Sequence, residues 1–180
     1  ATITTNRKFR DPNSWYHIMV AWDSTQSTAS DRIKIYVNGV QETSFSTANY
    51  PSQNASMHFN SNTTGLYVGG QTGSNTFQGC MSHVHYIDGT TYAASTFGDT
   101  DTTTGEWKIK TNVTGVTYGT NGFFILKDGN SVTDQSGQGN NWTAIGTLTK
   151  TEDNPSNVFA TLNTLVRHQG TISNGNTRYD

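Results

Sequence analysis

Four short segments constrain this chain most. Each is rich in aromatic and β-branched residues, and each is closed by turn-forming residues: Trp15–Asp23, Ile33–Val40, Leu66–Gly70 and Phe77–Tyr86. Runs of this length and composition read as strands. In Trp15–Trp22, Tyr16, Ile18, Val20 and Trp22 share one face, and Trp15, His17, Met19 and Ala21 share the other. Both faces are largely apolar, which predicts a central strand covered on both sides. Ile33, Ile35 and Val37 alternate with Lys34 and Tyr36, which predicts a half-exposed strand. Asn38-Gly39 follows it. A type I′ turn needs positive φ at both central residues, so this dipeptide predicts a hairpin with Val40–Phe45 as the return strand.

The rest of the chain continues the pattern in shorter pieces. Thr47–Thr64 reads as a long Asn/Ser loop with a weak strand at Met57-His58-Phe59, and Leu66–Val68 as a short strand ended by Gly69-Gly70. Phe77–Ile87 reads as the longest strand. Met81, Val84 and Tyr86 are expected to be buried, and Ser82-His83 breaks the alternation, which predicts a bulge. Tyr92–Phe97 suits one helical turn. Asp99–Gly105 is a Thr-rich acidic turn, and three short strands follow at Trp107–Lys110, Phe123–Leu126 and Trp142–Ile145. Beyond Lys150 apolar content falls, and Ser173–Asp180 is expected to fray.

Only 13% of residues are charged, against about 25% in an average soluble protein. Thr, Asn, Gly and Ser supply the polarity, and they suit strands and turns better than helix interiors. An aromatic content of 11% supplies a core, which argues against disorder. A net charge of −2 gives nucleic acid no electrostatic purchase. The apolar runs are too short to span a bilayer, so no membrane partner is expected. Cys80 is the lone cysteine, which excludes an intrachain disulfide and fits assembly in a reducing cytoplasm. Residues 1–10 carry no apolar signal-peptide core and no initiator Met, so the start reads as a cleavage product or as part of a longer chain.

Trp15-Tyr16-His17 with Trp22-Asp23, Ile35-Tyr36-Val37-Asn38-Gly39, Leu66-Tyr67-Val68-Gly69-Gly70, and Phe77-Gln78-Gly79 leading to Val84-His85-Tyr86 occur in this order. Over residues 10–98 this series resembles the laminin-G-like, or concanavalin A-like, jelly rolls. The resemblance implies an all-β antiparallel sandwich. Members usually carry several strands before the Trp-Tyr-His motif, and about 14 residues precede it here. The expectation is therefore that the sandwich is incomplete at its N-terminus, with the missing strands supplied by a longer chain or another copy. Unpaired edges would otherwise invite aggregation.

The later motifs narrow the resemblance. They are Phe97-Gly98-Asp99-Thr100-Asp101 with Gly105-Glu106-Trp107, Tyr118–Phe123, Asp134–Trp142, and Asp153–Asn157 with Phe159–Asn163. They resemble a tail that follows such jelly rolls in virion structural proteins of marine bacteriophages. Three regions are expected: a jelly roll over 1–98, a β-rich extension packing on it over 99–165, and a tail or linker over 166–180. The resemblance implies a fibre, spike or capsid-decoration subunit on the particle exterior, assembled in the host cytoplasm. It also implies virion-protein neighbours, homo-oligomers of the trimeric kind, and contact with host-surface glycan.

No reaction centre is legible. A glycosidase needs two carboxylates about 5 to 9 Å apart. Glu42, Glu106 and Glu152 have no acidic partner two or four residues away on a strand, and Asp99 and Asp101 lie in a turn. A divergent glycosidase is the enzymatic alternative, and a free carbohydrate-binding module is the non-enzymatic one. His83 and His85 could pair on a metal under simple alternation, but the bulge and the lack of a third ligand favour sheet histidines. Cys80 reads as a small buried residue. Tyr50, Tyr118 and Trp142 lie near loops and are the candidate sugar platforms, whereas Trp15, Trp22 and Phe77 read as core. No cofactor is required by any motif. The family resemblance leaves room for Ca²⁺ at the rim, where Asp128, Asn130 and Asp134 cluster as oxygen ligands.

Overall fold

A computed structural model describes residues 1–11, 14–56, 66–70, 76–127, 131–151, 155, 172–173 and 178–179. Every ladder in it is antiparallel. Among the described residues the helical segments are two single 3-10 turns, Ala29–Asp31 and Ala94–Thr96. The second lies inside the stretch expected to make one helical turn.

The central hairpin follows the sequence closely. Strand β2 (Ile18–Trp22) pairs along its length with β3 (Ile33–Val37), from Ile18 opposite Val37 to Trp22 opposite Ile33. Asn38 and Gly39 have φ of 48° and 77°, the two positive values a type I′ turn requires. The turn is locked by backbone donation from Asn38 to the His17 carbonyl at 2.9 Å. It is locked again by donation from the His17 N–H to Asn38 Oδ1 at 2.8 Å. The return strand β4 is only Val40–Gln41. After one more bond, from Glu42 N–H to the Ile35 carbonyl, the chain leaves. It becomes β5 (Phe45–Asn49), which pairs with β1 (Thr2–Thr5). Strand β5 begins at the end of the expected return strand and runs into the expected loop, and β1 falls where no strand was expected. Thr-rich polar segments with little apolar patterning reveal a strand only through its partner. Arg7 clamps this ribbon by an ion pair to Glu42, which is only 8% exposed.

Among the described residues strand β2 lies at the edge of its sheet rather than at the centre. Ile18 and Val20 are 50% and 57% exposed, so the expectation of cover on both sides is corrected. The apolar side chains of both faces were real, but Ile18 and Val20 stand exposed on a face whose Ile33 and Val37 are buried.

The densest packing lies around β6 (Val84–Tyr86) and β9 (Phe123–Ile125), which pair through Val84–Ile125, His85–Phe124 and Tyr86–Phe123. All three β9 residues are buried, as a continuous apolar run predicts for a doubly covered strand. Phe97, Tyr118 and His85 close one side. The expected long strand Phe77–Ile87 is reduced to β6, because its described partner β9 is three residues long. Phe77 and Met81 are 54% and 37% exposed, and Cys80 is exposed, against the expectation that all three are buried. His83 has φ of 53°, so the chain does break its alternation where a bulge was expected. Leu66–Val68 and Trp142–Ile145 are extended loops rather than strands. Met57-His58-Phe59 lies outside the described residues.

Strands β7 (Gly98–Thr100) and β8 (Trp107–Ile109) form a hairpin around the acidic turn. Its Trp107 ring stacks on His17 with centroids 5.7 Å apart. The same ring lies so close to Gly39 that a Cβ there would sit 2.2 Å from it. In the tail, β10 (Ile172–Ser173) pairs with β11 (Arg178–Tyr179).

Candidate functional site

The β6–β9 pair has two unlike sides. On one side His85 stacks on Phe124 at 3.9 Å between centroids and meets the Tyr118 hydroxyl at 2.7 Å through Nδ1. Burial, then the neighbouring charges of His83 and His17, pushes the His85 pKa down to about 3, so this imidazole is neutral at pH 7. Burial, with the Asp134 charge nearby, pushes the Tyr118 phenol up to about 12. On the other side Tyr86 stacks on Phe123 at 5.5 Å, and Trp142 meets Phe123 edge-on at 4.7 Å.

Over that second side lies a groove of about 240 Å³, lined by Leu66, Tyr86, Asn121, Phe123, Asn140, Asn141 and Trp142. Three asparagines face an aromatic floor. Asp134 holds the wall together. Its Oδ1 accepts from the Phe124 and Ser136 N–H groups, and its Oδ2 from the Ser136 hydroxyl and the Asn140 N–H. Burial would raise its pKa, but these hydrogen bonds outweigh it and hold the carboxyl below its usual range. The loop is closed by Trp142 N–H to the Val132 carbonyl and Gln135 N–H to the Phe124 carbonyl. The opposite wall rests on Gly119. With φ of 73° and the Asp88 carbonyl 2.2 Å from any added Cβ, only glycine fits there.

A second concavity of about 270 Å³ lies beside the β3–β4 hairpin, with Tyr50, Gln41, Glu42, Phe45 and Ile33 in its lining. The three aromatics singled out from sequence therefore part company. Trp142 lines the first groove, Tyr50 the second, and Tyr118 is 7% exposed, packed beneath the first. Of the three oxygen ligands, Asp134 anchors the loop, while Asp128 and Asn130 lie outside the described residues. Among the described residues no group of three His, Cys, Asp or Glu side chains is placed to hold a metal. Asn121, Asn140, Asn141 and Tyr86 escaped the sequence reading. The available signal was Asn140-Asn141 directly preceding the candidate Trp142, downstream of a turn-forming Asp134.

The acidic turn offers no catalytic pair. Asp101 Oδ1 accepts from the Thr103 and Thr104 N–H groups at 2.8 and 3.0 Å, and Lys108 binds its Oδ2. The Lys108 hydrogen bond, with those two backbone donors, brings the Asp101 pKa down to about 2. Asp99 pairs with Lys110 at 3.1 Å. Asp101 is committed to the turn and to an ion pair, whereas Asp99, expected in the turn, lies on strand β7 and is committed to an ion pair.

The model of a family described as the concanavalin A-like lectin/glucanases superfamily matches residues 1–94, just over half of the 180 residues. The chain belongs to this superfamily. It is an all-β, antiparallel, lectin-like sandwich domain, and the lectins and glucanases for which the superfamily is named are carbohydrate proteins. No curated protein and no solved structure matches it. The lectin family and the committed carboxylates fit a non-enzymatic domain. Of the seven described groove residues, the five from Asn121 to Trp142 lie beyond the matched region. The groove thus forms where β9, beyond the matched residues, pairs with β6 within them.

Proposed function

We propose that this chain is a non-enzymatic virion structural protein of a bacteriophage, a fibre, spike or capsid-decoration subunit, whose lectin-like domain attaches to host-surface glycan. The observation that carries the attachment role is the groove at Trp142. It sets amide groups beside an aromatic floor, which matches a sugar's hydroxyl rim and its apolar ring face. The particle context rests on the ordered motifs after Gly98, which resemble the tail of phage structural proteins. Homo-oligomerisation, as a trimer, is supported by Ile18, Val20 and Val40. They share a sheet face by register and are 50%, 57% and 64% exposed.

The family match also favours a second reading, a free carbohydrate-binding module. Immunogold labelling separates the two: label on phage particles supports the virion role, and particles without it sink that role. On a glycan array the wild-type chain is expected to bind. Replacing Trp142 with Ala is expected to weaken that binding tenfold or more, about 1–2 kcal/mol.

A further inference from the structure

The orientation of all three groove asparagines is fixed by what stands behind them. An amide that donates to a carbonyl or carboxylate must do so through its nitrogen, and one that accepts from an N–H must do so through its oxygen. Asn140 Nδ2 donates to the Thr120 carbonyl at 2.9 Å and to the Gly122 carbonyl at 2.8 Å, which uses both its hydrogens. Its Oδ1 is left over. Asn121 Nδ2 donates to Asp88 Oδ2 at 2.7 Å, which spends one of its two hydrogens and fixes Oδ1 as the acceptor. Asn141 is reversed. Its Oδ1 accepts from the Asp134 N–H at 2.9 Å, so its Nδ2 is the spare group. Among the described residues these spare atoms take no other hydrogen bond.

We infer that the groove is a metal-independent site for an uncharged sugar, read through two acceptors and one amino donor. This rests on the glycan-binding reading above and narrows it to one ligand class. A sugar hydroxyl both donates and accepts, so two hydroxyls can donate to Asn121 and Asn140 while a third accepts from Asn141. Trp142 and Tyr86 offer ring surface beside them. Among the described residues no lysine, arginine or histidine lines the groove. The nearest charges behind it are the carboxylates of Asp88 and Asp134. An anionic sugar would meet amide oxygens and negative charge with no cation to offset them. A simple cation would have no use for the Asn141 amino group. At about 240 Å³ the groove falls below the roughly 300–1,000 Å³ of drug-sized pockets, which suits a ligand of about one ring.

The test is an array carrying neutral oligosaccharides beside sialylated, uronic and sulfated ones, probed with the wild-type chain, with and without a chelator. Asn141→Asp is the decisive variant. It keeps an oxygen to accept from the Asp134 N–H but turns the spare donor into an acceptor. Neutral glycans are expected to bind with chelator present, and Asn141→Asp is expected to lose at least about tenfold in affinity with its unfolding midpoint retained. Selective binding of acidic glycans, or loss of binding on chelation, overturns the inference while leaving a glycan-binding domain. So does neutral-glycan binding that ignores Asn141→Asp but fails in Tyr50→Ala, since that places the ligand in the second concavity. No binding to any glycan overturns both the inference and the reading beneath it.

Discussion

His85 shows how one buried side chain sets a property of the whole fold. Its pKa falls from 6.5 to about 3 because burial, and then its histidine neighbours, disfavour the charge. The unfolded chain therefore binds more protons than the folded one between these values. Stability is fully present above pH 6.5 and is lost as pH falls toward 3. Burial lowers the His17 pKa in the same sense. Carboxylates with lowered pKa, such as Asp134, begin to cost stability only near and below their ordinary value of 3.8. The window from pH 6.5 to 4.5 thus reports the histidines. Urea unfolding across it is expected to show a loss on the order of 1 kcal/mol per pH unit, and His85→Gln is expected to flatten the slope. An unchanged slope in that variant would mean that another group titrates. His17 Nδ1 and Trp107 Nε1 are a second residue-scale feature. Both are buried without a hydrogen-bond partner among the described residues, although the two rings stack on each other.

At the level of elements, a strand exists here where it finds a partner. The β2–β3 hairpin was legible because its turn dipeptide and alternating pattern are local signals. Strand β1 was not, since Thr2–Thr5 carries one apolar residue, Ile3, and owes its conformation to β5. The segment Phe77–Ser82 fails the other way, with strand-like composition and no ladder among the described residues. Groove and loop depend likewise on one hub. Asp134 holds the chain from Phe124 to Asn141 through four accepted hydrogen bonds and one donated. Asp134→Ala leaves at least two N–H groups near the core unpaired. It is expected to cost about 2–3 kcal/mol and to red-shift tryptophan emission as Trp142 loosens. Equilibrium unfolding with fluorescence checks both, and a variant with wild-type stability would show that the loop is held elsewhere.

For the molecule as a whole, the exposed face of β2–β3–β4 bears on assembly. Ile18, Val20 and Val40 lie in register on one side of an edge hairpin. Exposed apolar side chains grouped in this way mark contact surfaces more often than free ones. Light scattering coupled to size exclusion is expected to give a multiple of 19.7 kDa. Val20→Lys, a substitution at a 57% exposed site, is expected to return the monomer without lowering the unfolding midpoint by more than a few degrees. A wild-type monomer would remove the trimer from the proposed function.

Local chemistry in the sequence was enough to determine the all-β class, the type I′ hairpin at Asn38-Gly39, the break at His83, the helical turn before Phe97 and the acidic turn around Asp101. Turn propensity and side-chain alternation act over a few residues and are written into them. Local chemistry also singled out Trp142, Tyr50 and Tyr118 as loop aromatics and Asp134 as an oxygen ligand, but not their places: Trp142 and Tyr50 are half-buried in two separate concavities, and Asp134 is spent on loop hydrogen bonds. Only the tertiary structure decided that Tyr118 belongs to the core and that β2 is an edge. The same holds for Asn121, Asn140 and Asn141, which meet over Tyr86 although the first is about twenty residues from the others and over thirty from the tyrosine. Burial and convergence depend on which segments pack together, and pairing across such distances leaves no trace in any one segment's pattern.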